Sequence, residues 1–98
     1  NRFFSRNEYA AMVLSADPNE AFCRLWTLRE SYVKMRGKGF AIGLSTLKCD
    51  FRRGVCTISQ DNLPQTDAFF KEYREIPGYR ISVCTNGETE HSFSVWKL

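Results

Sequence analysis

The chain has 98 residues, 43% hydrophobic and 14% aromatic, with a formal net charge of +3. That length makes a single domain, residues 1–98, with room for a core that needs no covalent staples. The composition excludes a disordered chain, and no apolar run approaches the ~20 residues of a membrane helix.

Asn1 is not an initiator methionine and no leader pattern opens the chain, so it reads as a mature product or an excised domain. Ser5-Arg6-Asn7-Glu8 has the form of a capping box and predicts a short helix from Arg6 to Leu14. Asp17-Pro18-Asn19-Glu20 is a stronger start, with an N-cap, a proline of preset φ and an acid in the first turn. The helix it opens is expected from Pro18 to Met35, with Ala21, Leu25, Leu28, Tyr32 and Met35 on its apolar stripe.

Phe40, Ile42 and Leu44 alternate with small residues as a half-buried strand does. The phase slips near Thr46, which suggests a bulge. Asp50 to Gly54 reads as the hairpin loop and Val55 to Ile58 as the return strand. Asp61-Asn62-Leu63-Pro64 predicts a turn and then a third helix from Pro64 to Glu75, stopped by Pro77-Gly78. Tyr79 to Cys84 and His91 to Trp96 alternate as two further strands around Asn86-Gly87. A three-residue loop, Asn86-Gly87-Glu88, would pair Ile81 with Phe93 and put the apolar residues on the core face. The expected core is Leu25, Leu28, Tyr32, Ile42, Leu44, Phe69, Tyr73, Ile81, Val83 and Phe93. The order α-α-β-β-α-β-β predicts an α+β fold: a four-stranded antiparallel sheet with helices mainly on one face. An offset of 39 residues lays Gly39–Leu44 on Gly78–Val83, suggesting an internal αββ repeat.

The charge is uneven. Residues 1–33 hold four basic and four acidic groups, a balance of 0. Residues 34–60 hold six basic groups against Asp50, or +5, and residues 61–98 hold four basic against six acidic, or −2. Lys34, Arg36, Lys38, Lys48, Arg52 and Arg53 therefore mark a basic hairpin suited to phosphate contacts. Arg80 and Trp96 fall on the face opposite the expected core, with Ser82 and Ser94, and form a platform for stacking. These eight residues are the expected binding site.

Cys49-x6-Cys56 and Cys84-x6-His91 have equal spacings, and three Cys with one His is a zinc set. The spacing is wider than in most zinc knuckles and there is no second histidine, so no metal or other cofactor is expected. Four cysteines fit either two disulfides in a secreted chain or buried thiols inside the cell, and a core of this size favours the intracellular case. No phosphate-binding glycine loop, H-E-x-x-H or G-x-S-x-G occurs, and nothing places His91 to activate a cysteine, so no enzyme is expected. The expectation is a small non-enzymatic nucleic-acid-binding domain, DNA or RNA undecided, with no membrane partner. The alternative is a protein-interaction module, such as a secreted effector, inhibitor or adaptor, docking a partner on its sheet face or edge strand.

Overall fold

A computed structural model of the chain describes residues 4–37 and 42–98. Along the chain run α1 (Arg6–Val13), α2 (Pro18–Arg36), a 3-10 turn (Leu44–Thr46), β1 (Leu47–Arg52), β2 (Val55–Gln60), β3 (Leu63–Pro64), β4 (Phe69–Tyr73), β5 (Tyr79–Thr85) and β6 (His91–Lys97). Both helices start where their caps place them. The Ser5 hydroxyl accepts from Glu8 N while Glu8 accepts from Ser5 N, and Asp17 accepts from Glu20 N. Gly37, left-handed at φ 73°, closes α2.

The expected single sheet is wrong. Two three-stranded antiparallel sheets form, ordered β1-β2-β3 and β4-β5-β6, and the αββ repeat goes with it. The third helix is the main error. Phe69 to Tyr73 is a strand, because its bulky residues alternate outward and inward rather than following a helical stripe. The first hairpin also differs. Leu44 to Thr46 makes a 3-10 turn where a bulged strand was expected, and the start of that strand, Phe40 and Ala41, lies outside the described residues. The β1–β2 loop is two residues, Arg53-Gly54, both at positive φ, in place of a loop from Asp50 to Gly54. Asp61 and Asn62, also at positive φ, turn β2 into β3.

In the second sheet a five-residue connection replaces the expected three. The Asn86 side chain holds it by accepting from the N–H groups of Glu88, Thr89 and Glu90. Val83 therefore pairs with Phe93 and Ile81 with Val95. The expected face is inverted as well. The polar residues Arg80, Ser82 and Ser94 are the buried ones, turned toward α2, while Phe69, Tyr73 and Phe93 are exposed. The physical reason is pairing. Ser82 donates to Thr27 Oγ1 at 3.1 Å, Ser94 donates to Glu30 at 2.9 Å, and Arg80 meets Glu20 and Glu72 at 3.0 and 2.7 Å. Hydroxyls and a guanidinium with such partners can be buried without leaving unsatisfied groups.

Leu25, Leu28, Tyr32 and Met35 of α2 form the centre of the core with Ile42, Leu47, Cys49, Cys56, Ile58 and Cys84. Arg24 ties the two sheets together: it forks onto Glu72 of β4 at 2.7 and 2.9 Å and lies 4.0 Å over the Phe51 ring of β1. All four cysteines are buried free thiols. Burial pushes the Cys84 thiol up to about 12, and a hydrogen bond with Cys49 together with burial raises Cys56. Cys56 and Cys84 therefore stay protonated, and all four cysteines serve as small apolar side chains.

Candidate active site

The residues expected to form a basic binding surface are scattered. Arg36 forks onto Asp67 at 2.7 and 2.9 Å and also reaches Gln65 and the Tyr32 hydroxyl. That hydrogen-bonded guanidinium holds the Asp67 carboxyl below the usual carboxylate range. Lys48 donates to Asn62 at 2.8 Å. Arg52 is exposed beside Asp50, and Arg53 occupies the hairpin turn. Lys38 lies outside the described residues. Arg80 is buried in its ion pairs, on the face that α2 covers. No continuous phosphate track forms among the described residues, because Arg36 and Arg80 are paired with carboxylates from other elements and Arg52 and Arg53 stand apart at the hairpin turn. The zinc set is not assembled either. Cys84 is buried beneath α2, His91 is exposed on the other face of the sheet, and Cys49 and Cys56 belong to the other sheet. Among the described residues no group of three metal-ligating side chains converges.

Arg80 and Trp96 stand opposite each other across β5 and β6, and Lys34 and Trp96 both lie along the junction of α2 with β6. Trp26, Glu30 and Lys34 follow one another at four-residue spacing, so α2 presents them on one side. Trp26 meets Trp96 edge-on, with ring centroids 6.2 Å apart. Glu30 accepts from the Ser94 hydroxyl, and Lys34 Nζ donates to the Phe93 carbonyl at 3.3 Å. β6 thus fixes both side chains through one hydroxyl and one backbone carbonyl.

The other withdrawn carboxylates are neutralised by arginine: Glu8 by Arg29, Glu72 by Arg24 and Arg80, Glu20 by Arg80. Among the described residues, Glu30 is the one partly buried carboxylate that no Lys or Arg pairs. A carboxylate held by a hydroxyl keeps lone pairs free for a proton, and the exposed ammonium of Lys34 one turn away has donors beyond the one on the Phe93 carbonyl to offer an anion. Two open clefts, of about 910 and 420 Å3, lie against the first hairpin and between α1, α2 and β1. Neither reaches Glu30 or Lys34, so chemistry rather than concavity marks this site. Sequence reasoning missed Glu30, though the regular spacing of Trp26, Glu30 and Lys34 was readable.

Residues 1–84 match the model of the 4'-phosphopantetheinyl transferase superfamily, and the chain belongs to this family. It is 34% identical over 88 residues to the 4'-phosphopantetheinyl transferase ffp of Bacillus subtilis, covering 85% of this chain and 38% of that protein. It is 34% identical over 89 residues to Sfp of B. subtilis strain 168, covering 85% of this chain and 38% of that one. The transferase gsp of Aneurinibacillus migulanus is 29% identical over 99 residues, covering 99% of this chain and 41% of gsp. The chain thus spans about two-fifths of the length of the curated relatives it matches. The family is one of enzymes, which overturns the expectation of a non-enzymatic nucleic-acid-binding domain. No helix among the described residues is long and apolar enough to cross a membrane.

Proposed function

We propose that the chain forms the part of a 4'-phosphopantetheinyl transferase in which Glu30 and Lys34 meet the transferred group, and that its protein partner is a carrier protein that receives it. The observation that supports this reading is the partly buried Glu30 carboxylate, held by Ser94 and paired with no Lys or Arg among the described residues, one turn from Lys34 in a chain of this family.

The chemistry follows from the group's phosphate. An acceptor hydroxyl of the carrier protein attacks the phosphorus of the donor. The new phosphorus–oxygen bond forms as the bond to the leaving group breaks. The hydroxyl proton passes to the Glu30 carboxylate, the general base. The Lys34 ammonium stands against the phosphate oxygens and offsets their charge, the main requirement of such transfers. Ser94 holds the carboxylate in one orientation.

Because the chain spans part of its relatives, the test uses a chimera in which it replaces the matched segment of Sfp. Lys34→Gln in that chimera is expected to weaken donor binding about tenfold, the loss of one charge-assisted hydrogen bond. Titration calorimetry reads it. Unchanged donor affinity would remove Lys34 from the site.

A further inference from the structure

The first hairpin carries two cysteines that the transfer chemistry does not use. Cys49 of β1 stands opposite Ile58, and Cys56 of β2 stands opposite Phe51, so the two are diagonal neighbours. Each alternates with exposed residues along its strand, and both point to the same face. Their thiols are hydrogen-bonded to each other. Cys49 is 9% and Cys56 4% exposed, yet both line the cleft of about 910 Å3 against this hairpin. Cys23 and Cys84 line neither cleft. A single buried thiol is an ordinary core residue. Two that touch at the edge of a cleft can hold one atom between them.

We infer that Cys49 and Cys56 form a dithiol site for a trivalent arsenic oxyacid, whose arsenic atom bridges the two sulfurs across β1 and β2. Spacing argues against the simpler product, a disulfide. Diagonal neighbours in an antiparallel pair have Cα atoms about 7–8 Å apart, beyond the ~4.4–6.8 Å of most disulfides. A bridging atom puts two bonds to sulfur where a disulfide has one, so it spans the diagonal. It also lets the sulfurs keep much of the separation they have as hydrogen-bonded thiols. Charge points the same way. The Cys49 hydrogen bond and burial keep Cys56 protonated, and a soft metal ion would have to expel such protons into water. Arsenous acid takes neutral thiols. Each sulfur replaces one hydroxyl on arsenic, and each thiol proton leaves with that hydroxyl as water. Two arsenic–sulfur bonds form, two arsenic–oxygen bonds break, and nothing is oxidised or reduced. The product is neutral, which a largely buried position tolerates. The cleft leaves room for the third substituent on arsenic. The site is independent of the roles of Glu30 and Lys34, which neither cleft reaches.

Intact mass of the folded chain after incubation with phenylarsine oxide tests it, because this probe makes the same two bonds and releases one water. One adduct per chain is expected. Trypsin cuts after Arg52 and Arg53, between the two cysteines, so the fragments holding Cys49 and Cys56 should stay joined through arsenic. Cys49→Val and Cys56→Val should each weaken binding by about 10²–10⁴-fold, the loss of a second point of attachment. Cys23→Val and Cys84→Val should leave it in place, and melting midpoints control for folding. An unmodified chain would overturn the inference. So would an adduct that maps to Cys23 or Cys84, or fragments that separate after digestion. Joining of the same two fragments by oxidised glutathione alone would also overturn it, since the pair would then be a disulfide site.

Discussion

Glu8→Ala is expected to destabilise the chain by about 3–5 kcal/mol, a large share of the ~5–15 kcal/mol that holds a domain folded. The Arg29 guanidinium is fully buried, and its carboxylate partner is Glu8. One Glu8 oxygen accepts from Arg29 and from Ser5 N, and the other from Cys49 N at 3.0 Å. A single carboxylate therefore closes the N-terminus of α1, pairs with Arg29 of α2 and accepts an N–H from the edge strand of the first sheet. Its removal leaves a buried cation and orphaned N–H groups, the expensive way to break a buried pair. Replacing both charges, Glu8→Ala with Arg29→Met, should recover much of the loss, since the desolvated cation disappears with its partner. Urea unfolding of the two single variants and the double variant measures the coupling. A loss below ~1 kcal/mol for Glu8→Ala would contradict the assignment, because that is the value of an exposed pair.

The second large effect is on rate. Glu30→Gln in the Sfp chimera is expected to lower kcat by about 10²–10⁴-fold, the usual contribution of a positioned general base. Glutamine keeps the size of the side chain and an oxygen that accepts from Ser94. The fold and donor affinity should therefore persist while the proton acceptor is lost. Lys34 and the Trp26–Trp96 contact remain as they were. Initial rates at saturating donor, with melting midpoints as the control for folding, separate the two contributions. A kcat within about twofold of the parent would show that the hydroxyl proton goes elsewhere, since a twofold change lies far below the effect of a general base.

The helices were legible in the sequence because their signals are local. The Ser5–Glu8 box and the Asp17–Pro18 start each act within a few residues. The β5–β6 pairing was legible in which residues share a face, though not in its register, because Asn86 holds a longer loop than its hairpin-like dipeptide implies. The second sheet's inner face was misread for a different reason. Hydropathy assigns Arg80, Ser82 and Ser94 to solvent, and only their distant partners on α2 make them buried. The site was hidden in the same way. Glu30 reads as an ordinary surface acid on an amphipathic helix, and the serine that holds it lies 64 residues away in sequence. The basic stretch misled because its count of cations omitted Asp67, which folds onto Arg36 from another element.

The central claim is that the Glu30 face of this chain works in phosphopantetheinyl transfer. The most direct measurement is the intact mass of a carrier protein incubated with a phosphopantetheinyl donor and the Sfp chimera. The account predicts a gain of one phosphopantetheinyl group per carrier with the parent chimera, and its near disappearance with Glu30→Gln at unchanged fold. A folded, donor-binding parent chimera that leaves the carrier unmodified, or a Glu30→Gln chimera that modifies it at the parent rate, would contradict it.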